Sequence, residues 1–432
     1  MNTLAELNID NFRAIKKADI KLNGITVVSG INGCGKSTIA KLIYYIFHHA
    51  NGYERLAIND YVQKCRTYLE AIGQILSIAD NPNEKYIRYR YHHLMLNGLD
   101  SENDIDEDIK NAKALLLKSQ KSIENLEKKN PAAYSRLLMI LKATLKISTE
   151  DQRSHSELIN LLFSRIEGLR QSLHNDIIRR PYRLLREQVC IDLDPNVSKS
   201  VSLKEYNIPI FGKNVTDVPI PHYVKRVAML DTPMIIGMDT FPDQPSYWRE
   251  INDLARRKPK RGYKLSINNK IKNDILQGEA LYEEETFNHG FIFKDKDGST
   301  FDLLDCATGI KTFSLLQMLL KNRFLEEDTM LVLDEPESHL HPQWITELAN
   351  LIVMIHEKIG TKFFITSHST DMVSGLRYIS ERNRCLDSVS FYLAKDENKD
   401  GKFTYQFLDK DDIDPIFASF NQSIEKQDEY TK

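Results

Sequence analysis

The run Gly30-Ile31-Asn32-Gly33-Cys34-Gly35-Lys36-Ser37-Thr38 fits the pattern G-x-x-x-x-G-K-[ST]. An apolar stretch, Ile25 to Val28, precedes it as a buried strand, and Ile39 to Phe47 follows with helical spacing of its apolar residues. In this setting glycines let backbone N–H groups curl around a phosphate, and the start of the helix adds a favourable dipole. Lys36 can then bridge β- and γ-phosphates, and the Ser37 hydroxyl can hold Mg²⁺. The residues expected to hold a nucleoside triphosphate are Asn32, Gly33, Gly35, Lys36, Ser37 and Thr38, with Cys34 as a small filler.

A second run completes that chemistry. Met330 to Leu333 is apolar and ends in Asp334-Glu335. A buried strand fixes Asp334 at its C-terminal end, where it can bind the same Mg²⁺ directly or through water. Glu335 points elsewhere and suits the polarisation of an attacking water. Pro336-Glu337-Ser338-His339-Leu340-His341-Pro342 and a helix from Gln343 to Ile359 come next. Another buried strand, Lys362 to Ser367, then ends at His368, a position suited to sensing a γ-phosphate.

The elements that must position these residues can be read along the chain. Residues 3–28 alternate apolar and polar positions, which predicts an antiparallel hairpin or meander with Asn11-Phe12-Arg13 at its tip; Arg13 is either a solvated turn residue or a nucleotide contact. A helix is expected near Tyr61 to Ala79, then a strand over Tyr86 to His93. From Ile105 a 4-3 spacing through Ile109, Ala112, Leu116, Ile123 and Leu126 reads as a heptad seam with only Ser119 out of place. Asn130-Pro131 breaks it; Tyr134, Leu138, Leu141 and Leu145 resume it; Ser148 to Asp151 reads as a cap, followed by Leu158, Leu162, Leu169, Leu173 and Ile177. Such helices would form an inserted antiparallel hairpin. Basic clusters follow at Arg179 to Arg186 and at Arg256 to Lys264, the second with six positive charges in nine residues. Residues 190–226 read as an irregular connection, Val227 to Ile236 as a strand, and 264–304 as short strands. Asp305 to Lys311 opens an apolar helix over Phe313 to Leu320, and Phe391-Tyr392-Leu393 with Phe403-Thr404-Tyr405 form a final strand pair. The expected divisions are 1–100, 101–190, 191–265 and 266–432.

Composition narrows the partners. With 58 basic and 61 acidic residues the 432-residue chain has a net charge of −3, so any nucleic-acid contact must come from local patches. Five cysteines without C-x-x-C spacing argue against a disulfide framework or a zinc site. No apolar signal region opens the sequence and no run approaches the ~20 residues that span a bilayer, so a cytoplasmic protein without a membrane partner is expected.

The order of these parts, with Thr308-Gly309 at the start of the apolar helix, resembles the ABC-type ATPases, in particular the branch of chromosome-maintenance and double-strand-break-repair ATPases and the OLD-type phage-defence proteins. The resemblance covers residues 3–50 and 290–395. It implies an α/β fold, an ABC-type phosphate-loop domain of mixed sheet plus antiparallel β subdomain with an inserted helical hairpin. It also implies ATP and Mg²⁺ as cofactors, Gly30 to Thr38 as Walker A, and Asp334 as the metal-binding carboxylate. Glu335 would be the catalytic base, Glu337 to His341 the dimer-contact loop and His368 the switch histidine. Thr308-Gly309 would stand in for the signature motif that completes the ATP site of an opposite subunit, although the usual serine position holds Ala307 or is replaced by Thr308. The metal-contacting glutamine of the family has no clear counterpart, Gln63 being one candidate.

Within the branch, Asn32 to Lys36, the inserted helices and Pro336 to Pro342 look most like the standalone ATPases of two-gene bacterial defence systems, PtuA of Septu and retron systems and AriA of PARIS. That likeness implies a homodimer or higher oligomer with ATP sandwiched between heads, controlling an effector nuclease of HNH or Toprim type, with retron RNA/DNA or phage DNA as a possible nucleic acid. With 64 residues after His368, a nuclease domain of the OLD type is not expected there. Two other readings are a chromosome-maintenance ATPase gripping duplex DNA with residues 256–264, disfavoured by the short hairpin and missing zinc hook, and a membrane importer's ATPase.

Overall fold

The computed structural model describes residues 4–79, 102–238, 244–283, 290–338, 340–397 and 399–420. The chain divides into two compact units, Met1–Asn51 with Leu185–Lys432, and Gly52–Leu184. The first unit opens with β1 (Ala5–Phe12) and β2 (Ile15–Lys21), an antiparallel hairpin whose alternating residues Ala5, Leu7 and Ile9 are buried. Strand β3 (Ile25–Ser29) is buried throughout; it does not continue the meander but lies between two later parallel strands. Helix α1 (Lys36–Asn51) leaves the phosphate loop and buries Ile39, Leu42, Ile43 and Ile46.

The second unit is helical. Helix α2 (Tyr53–Ile78) packs against α3 (Glu102–Lys129), α4 (Pro131–Thr144) and α5 (His155–Arg179). The boundary expected at residue 101 therefore falls at Gly52, because α2 spends its buried face, Leu56 to Leu76, in this bundle. Where an inserted antiparallel hairpin was expected, the described residues of this unit form four packed helices. The seam is buried at Ile105, Ala112, Leu116 and Ile123, and Ser119 is buried with them. In α4 the inward residue is Leu137, where Leu138 was expected. Asn130 caps α4 by accepting the Ala133 N–H at 3.1 Å. The cap of α5 is Ser154 with Glu157 in a reciprocal capping box, three residues beyond the expected run, where Asp151 instead holds the Arg153 N–H in a turn. The strand expected over 86–93 lies outside the described residues.

After α6 (Tyr182–Asp192) the chain forms β4 (Val201–Glu205) and β5 (Ile208–Phe211), a hairpin that extends the sheet beyond β1 where an irregular connection was expected. Strand β6 (Arg226–Leu230), α7 (Ser246–Ala255) and α8 (Leu265–Asn269) follow. Residues 265–275 are helical, not the strands expected, because Ile267 and Ile271 fall four apart and bury the same face. A separate antiparallel sheet contains β7 (Gly278–Glu283), β8 (Gly290–Asp295) and β9 (Thr300–Asp302). Then come α9 (Thr308–Lys321), β10 (Thr329–Asp334), α10 (Pro342–Ile359), β11 (Lys362–Ser367) and α11 (Thr370–Arg382). The antiparallel pair β12 (Val389–Lys395) and β13 (Phe403–Leu408) closes the sheet. The large mixed sheet runs β5-β4-β1-β2-β13-β12-β3-β11-β10-β6. Its five neighbours β12, β3, β11, β10 and β6 are parallel. Their C-terminal ends share one edge, which is where such sheets bind ligands.

Candidate nucleotide site

Four of the five strand ends at that edge carry the site: β3 delivers the phosphate loop, β10 Asp334, β11 His368 and β6 Asp231. The loop has the backbone its sequence demands. Gly33 and Gly35 have φ of +83° and +101°, and since a Cβ on Gly33 would meet nothing within 4 Å, glycine is demanded there by the backbone conformation and not by space. Gly30 is needed for a different reason, since a Cβ there would lie 2.7 Å from Ala394 and 2.8 Å from the Cys34 sulfur. Tyr405 of β13 donates to the Cys34 carbonyl at 2.9 Å and so ties the loop to the far end of the chain. Asn32 and Ser37 are exposed and Thr38 is half-buried.

The buried Lys36 ammonium donates to the carbonyls of Gly30 (2.9 Å) and Ile31 (3.2 Å) and lies 3.5 Å from Glu335 Oε1. The Glu335 carboxylate is in turn 3.4 Å from His368 Nδ1. Glu335 has φ +51°, a left-handed conformation for a non-glycine residue, and its N–H donates to both the carbonyl (3.1 Å) and hydroxyl (3.0 Å) of Thr366. The same Thr366 hydroxyl donates to Asp334 Oδ1 at 2.5 Å. Burial raises the Asp334 pKa, the charges of Glu335 and Asp231 raise it further, and hydrogen bonds from Thr366 and Ser37 oppose the shift. Asp231 was not singled out from the sequence. Its carboxylate accepts from Tyr247 Oη (2.7 Å) and Trp248 Nε1 (2.8 Å) of α7, and with Asp334 and Glu335 it lines a cavity of about 180 Å³.

These residues fit Mg²⁺. Crowded carboxylates beside the Ser37 hydroxyl are the donor set a hard cation takes, and Mg²⁺ is held by one or two carboxylates plus phosphates and water. No group of three or more His, Cys, Asp or Glu side chains among the described residues makes a preformed metal cage.

Glu337 and His341 spend their side chains internally. Glu337 is buried; Oε1 accepts from Ser367 Oγ (2.7 Å) and the His368 N–H (3.0 Å), while Oε2 has no hydrogen-bond partner among the described residues. His341 caps α10. Burial raises the Glu337 pKa against those two bonds. A carboxyl with a raised folded pKa binds more protons folded than unfolded, so its contribution to stability is lost as pH climbs from the unfolded value through the folded one. Glu337→Gln keeps the Oε1 acceptor and removes that titration. Its melting temperature relative to the parent should rise as pH climbs above the ordinary carboxylate range, and a pH-independent difference would refute the assignment.

Gly309 is buried at the start of α9, where a Cβ would sit 2.1 Å from Trp344. Thr308 is half-buried and its hydroxyl donates to Met234 sulfur at 3.6 Å. Gly309→Ala should force Trp344 aside and cost about 1–3 kcal/mol, as overpacking does; chemical denaturation that leaves the midpoint unmoved would show the contact to be soft. Arg13, with φ +51°, stands at the β1–β2 tip. Its guanidinium donates to the Leu193 carbonyl at 2.6 Å, while nearby Ile15 packs under Gly35. Gln63 lies on α2 in the helical unit.

The fold and this edge define a phosphate-loop nucleotide-binding head. The model of the AAA ATPase domain family matches residues 3–373, and the chain belongs to that family. No curated protein matches it. Among solved structures, it is similar to the Smc head domain of Pyrococcus furiosus with an extended coiled coil bound to the C-terminal domain of ScpA (12% identity, 99% of each chain, TM-score 0.34). It is also similar to the SMC head domain of Thermotoga maritima (11% identity, 94% of this chain and 98% of that one, TM-score 0.37). At those scores neither likeness bears on activity. Among the described residues no helix is long and apolar enough to cross a membrane, and all five cysteines are free.

Proposed function

We propose that this chain is an ATP-binding and hydrolysing switch, and that two copies close around ATP to control a partner effector. The observation carrying the reading is the chain Lys36, Glu335, His368, with spacings of 3.5 and 3.4 Å, set beside Asp334 at one sheet edge. A γ-phosphate competes with Glu335 for the Lys36 ammonium and leaves the carboxylate free to take a proton from water. The water oxygen then bonds to the γ-phosphorus as the bond to the β,γ-bridging oxygen breaks. Mg²⁺, held by Ser37 and Asp334, would neutralise charge on the phosphate oxygens. Lys36 does the same from the loop side. The role of sensing the γ-phosphate falls to His368, a reading supported by the hold of Glu337 on its N–H.

Closure on ATP and opening on hydrolysis turn nucleotide state into geometry, with Thr308-Gly309 of one copy facing the loop of the other. The finer reading is an anti-phage defence subunit in the bacterial cytoplasm that restrains a nuclease encoded beside it. It is supported by the likeness of Asn32 to Lys36 and Pro336 to Pro342 to the standalone defence ATPases. Expression with the native neighbouring genes and recovery with and without ATP tests it: a co-purifying nuclease is the expected result. Recovery of the chain alone, bound to DNA in an ATP-dependent manner, would replace it with the chromosome-maintenance reading.

A further inference from the structure

The basic run 256–264 is a strongly charged stretch that the nucleotide site leaves unused. It joins α7 to α8 on a backbone pinned from several sides. The Arg257 N–H donates to the Leu254 carbonyl (3.2 Å), the Lys260 N–H to the Lys321 carbonyl (2.8 Å), and the Asn322 amide to Leu254 (2.6 Å). A loop so held presents its side chains from fixed positions. Asp253 lies 3.4 Å from Arg256, but among the described residues Arg257, Lys260, Arg261 and Lys264 form no ion pair. Some exposed cations of the same unit are matched, as in Arg226 with Asp328, Arg323 with Glu326 and Lys272 with Glu279; what sets this run apart is the density of its charge. In a chain of net charge −3 this cluster is a local positive potential able to gather anions.

The run also borders a cleft. Residues 255–259 face residues 280–283 of β7 across a cavity of about 290 Å³, with Arg256, Arg257 and Lys258 on one wall and Tyr282 and Glu283 on the other. Lys321 at its edge is neutralised by Glu279 at 2.5 Å and Arg256 is paired with Asp253, so Arg257 is the cleft-lining cation that carries the field on toward Lys260 and Arg261. Such a volume admits a phosphate and its sugar but not an α-helix, about 10–12 Å across with side chains. The charge continues past the cleft through Lys260, Arg261 and Lys264, as a repeating phosphate strand requires and a single acidic side chain does not.

We propose that this cleft, continued by the loop to Lys264, is a binding surface for the phosphodiester backbone of a nucleic acid, gripped without reading its bases. The assignment is independent of the defence reading, because it needs neither a partner nor ATP turnover. The full chain is titrated against fluorescein-labelled single-stranded DNA, duplex DNA and RNA of about 30 nucleotides, and against labelled polyglutamate, over a series of salt concentrations. Expected are binding of the nucleic acids at about 50 mM salt and a loss of at least ~10²-fold in the triple variant Arg257→Glu, Lys260→Glu, Arg261→Glu. That variant should also lower the salt slope by about three and leave nucleotide affinity unchanged. Should the triple variant fold poorly, Arg257→Ala alone should lower the slope by about one. Equal affinity in a folded variant, no binding by the parent chain, or polyglutamate held as tightly as nucleic acid would overturn it.

Discussion

Lys36→Ala is expected to abolish ATP binding at working concentrations. The ammonium is buried, its donors turned to the carbonyls of Gly30 and Ile31, where a bound nucleotide's phosphates would compete for it. Charge-assisted hydrogen bonds contribute about 1.5–3 kcal/mol each, so losing contacts to two phosphates costs about 3–6 kcal/mol, roughly 10²–10⁴-fold in Kd. The fold should survive, because the loop is also held by Tyr405 through the Cys34 carbonyl and by the close contact of Gly30 with Ala394. Titration with a fluorescent ATP analogue measures the loss, and a melting curve controls for the fold. Equal affinity in parent and variant would remove the phosphate-loop assignment and, with it, the reading of the whole sheet edge.

The loop and the β10 strand were legible in the sequence because their chemistry is local: a glycine pattern, an apolar run and two adjacent carboxylates. What escaped was chemistry assembled across the chain. Thr366 is one hydroxyl in an apolar strand, yet it sets both Asp334 and the Glu335 backbone from the neighbouring strand. Asp231 has no motif around it; its significance comes from β6 lying next to β10, a pairing across about a hundred residues. Tyr405 acts on Cys34 from the opposite end of the sequence.

The misread elements have equally particular causes. The β4–β5 hairpin was hidden because Glu205 interrupts an apolar alternation. In the fold Glu205 is buried and accepts the N–H groups of His222, Tyr223 and Val224 at 2.8, 3.2 and 3.0 Å, which makes a charged residue an inward position. The helix cap was misplaced because Ser148 to Asp151 and Ser154 to Glu157 both satisfy a capping pattern. Only the second has glutamate at the third helical position, long enough to reach back to the Ser154 N–H. And α2 carries its apolar residues in helical spacing but gives no sign of which neighbours it will choose.

Glu335→Gln should bind ATP and turn it over about 10²–10⁴-fold more slowly, the usual span for losing a general base. The backbone argues for this role as well as the side chain. A non-glycine residue at φ +51° carries strain of about 1–3 kcal/mol, held here by two hydrogen bonds to Thr366. That conformation turns Glu335 out of the line of β10 and brings its carboxylate to 3.5 Å from Lys36 and 3.4 Å from His368. Glutamine fits the same backbone and can still accept from Lys36, so binding is retained while the proton acceptor is lost. If hydrolysis opens a closed pair, the variant should accumulate as an ATP-dependent dimer in sedimentation while the parent returns to its resting state. Slow turnover without dimers would keep Glu335 as the base and reject the closing of two heads. Unchanged turnover would remove Glu335 from the chemistry and require another group at the same sheet edge to activate the water.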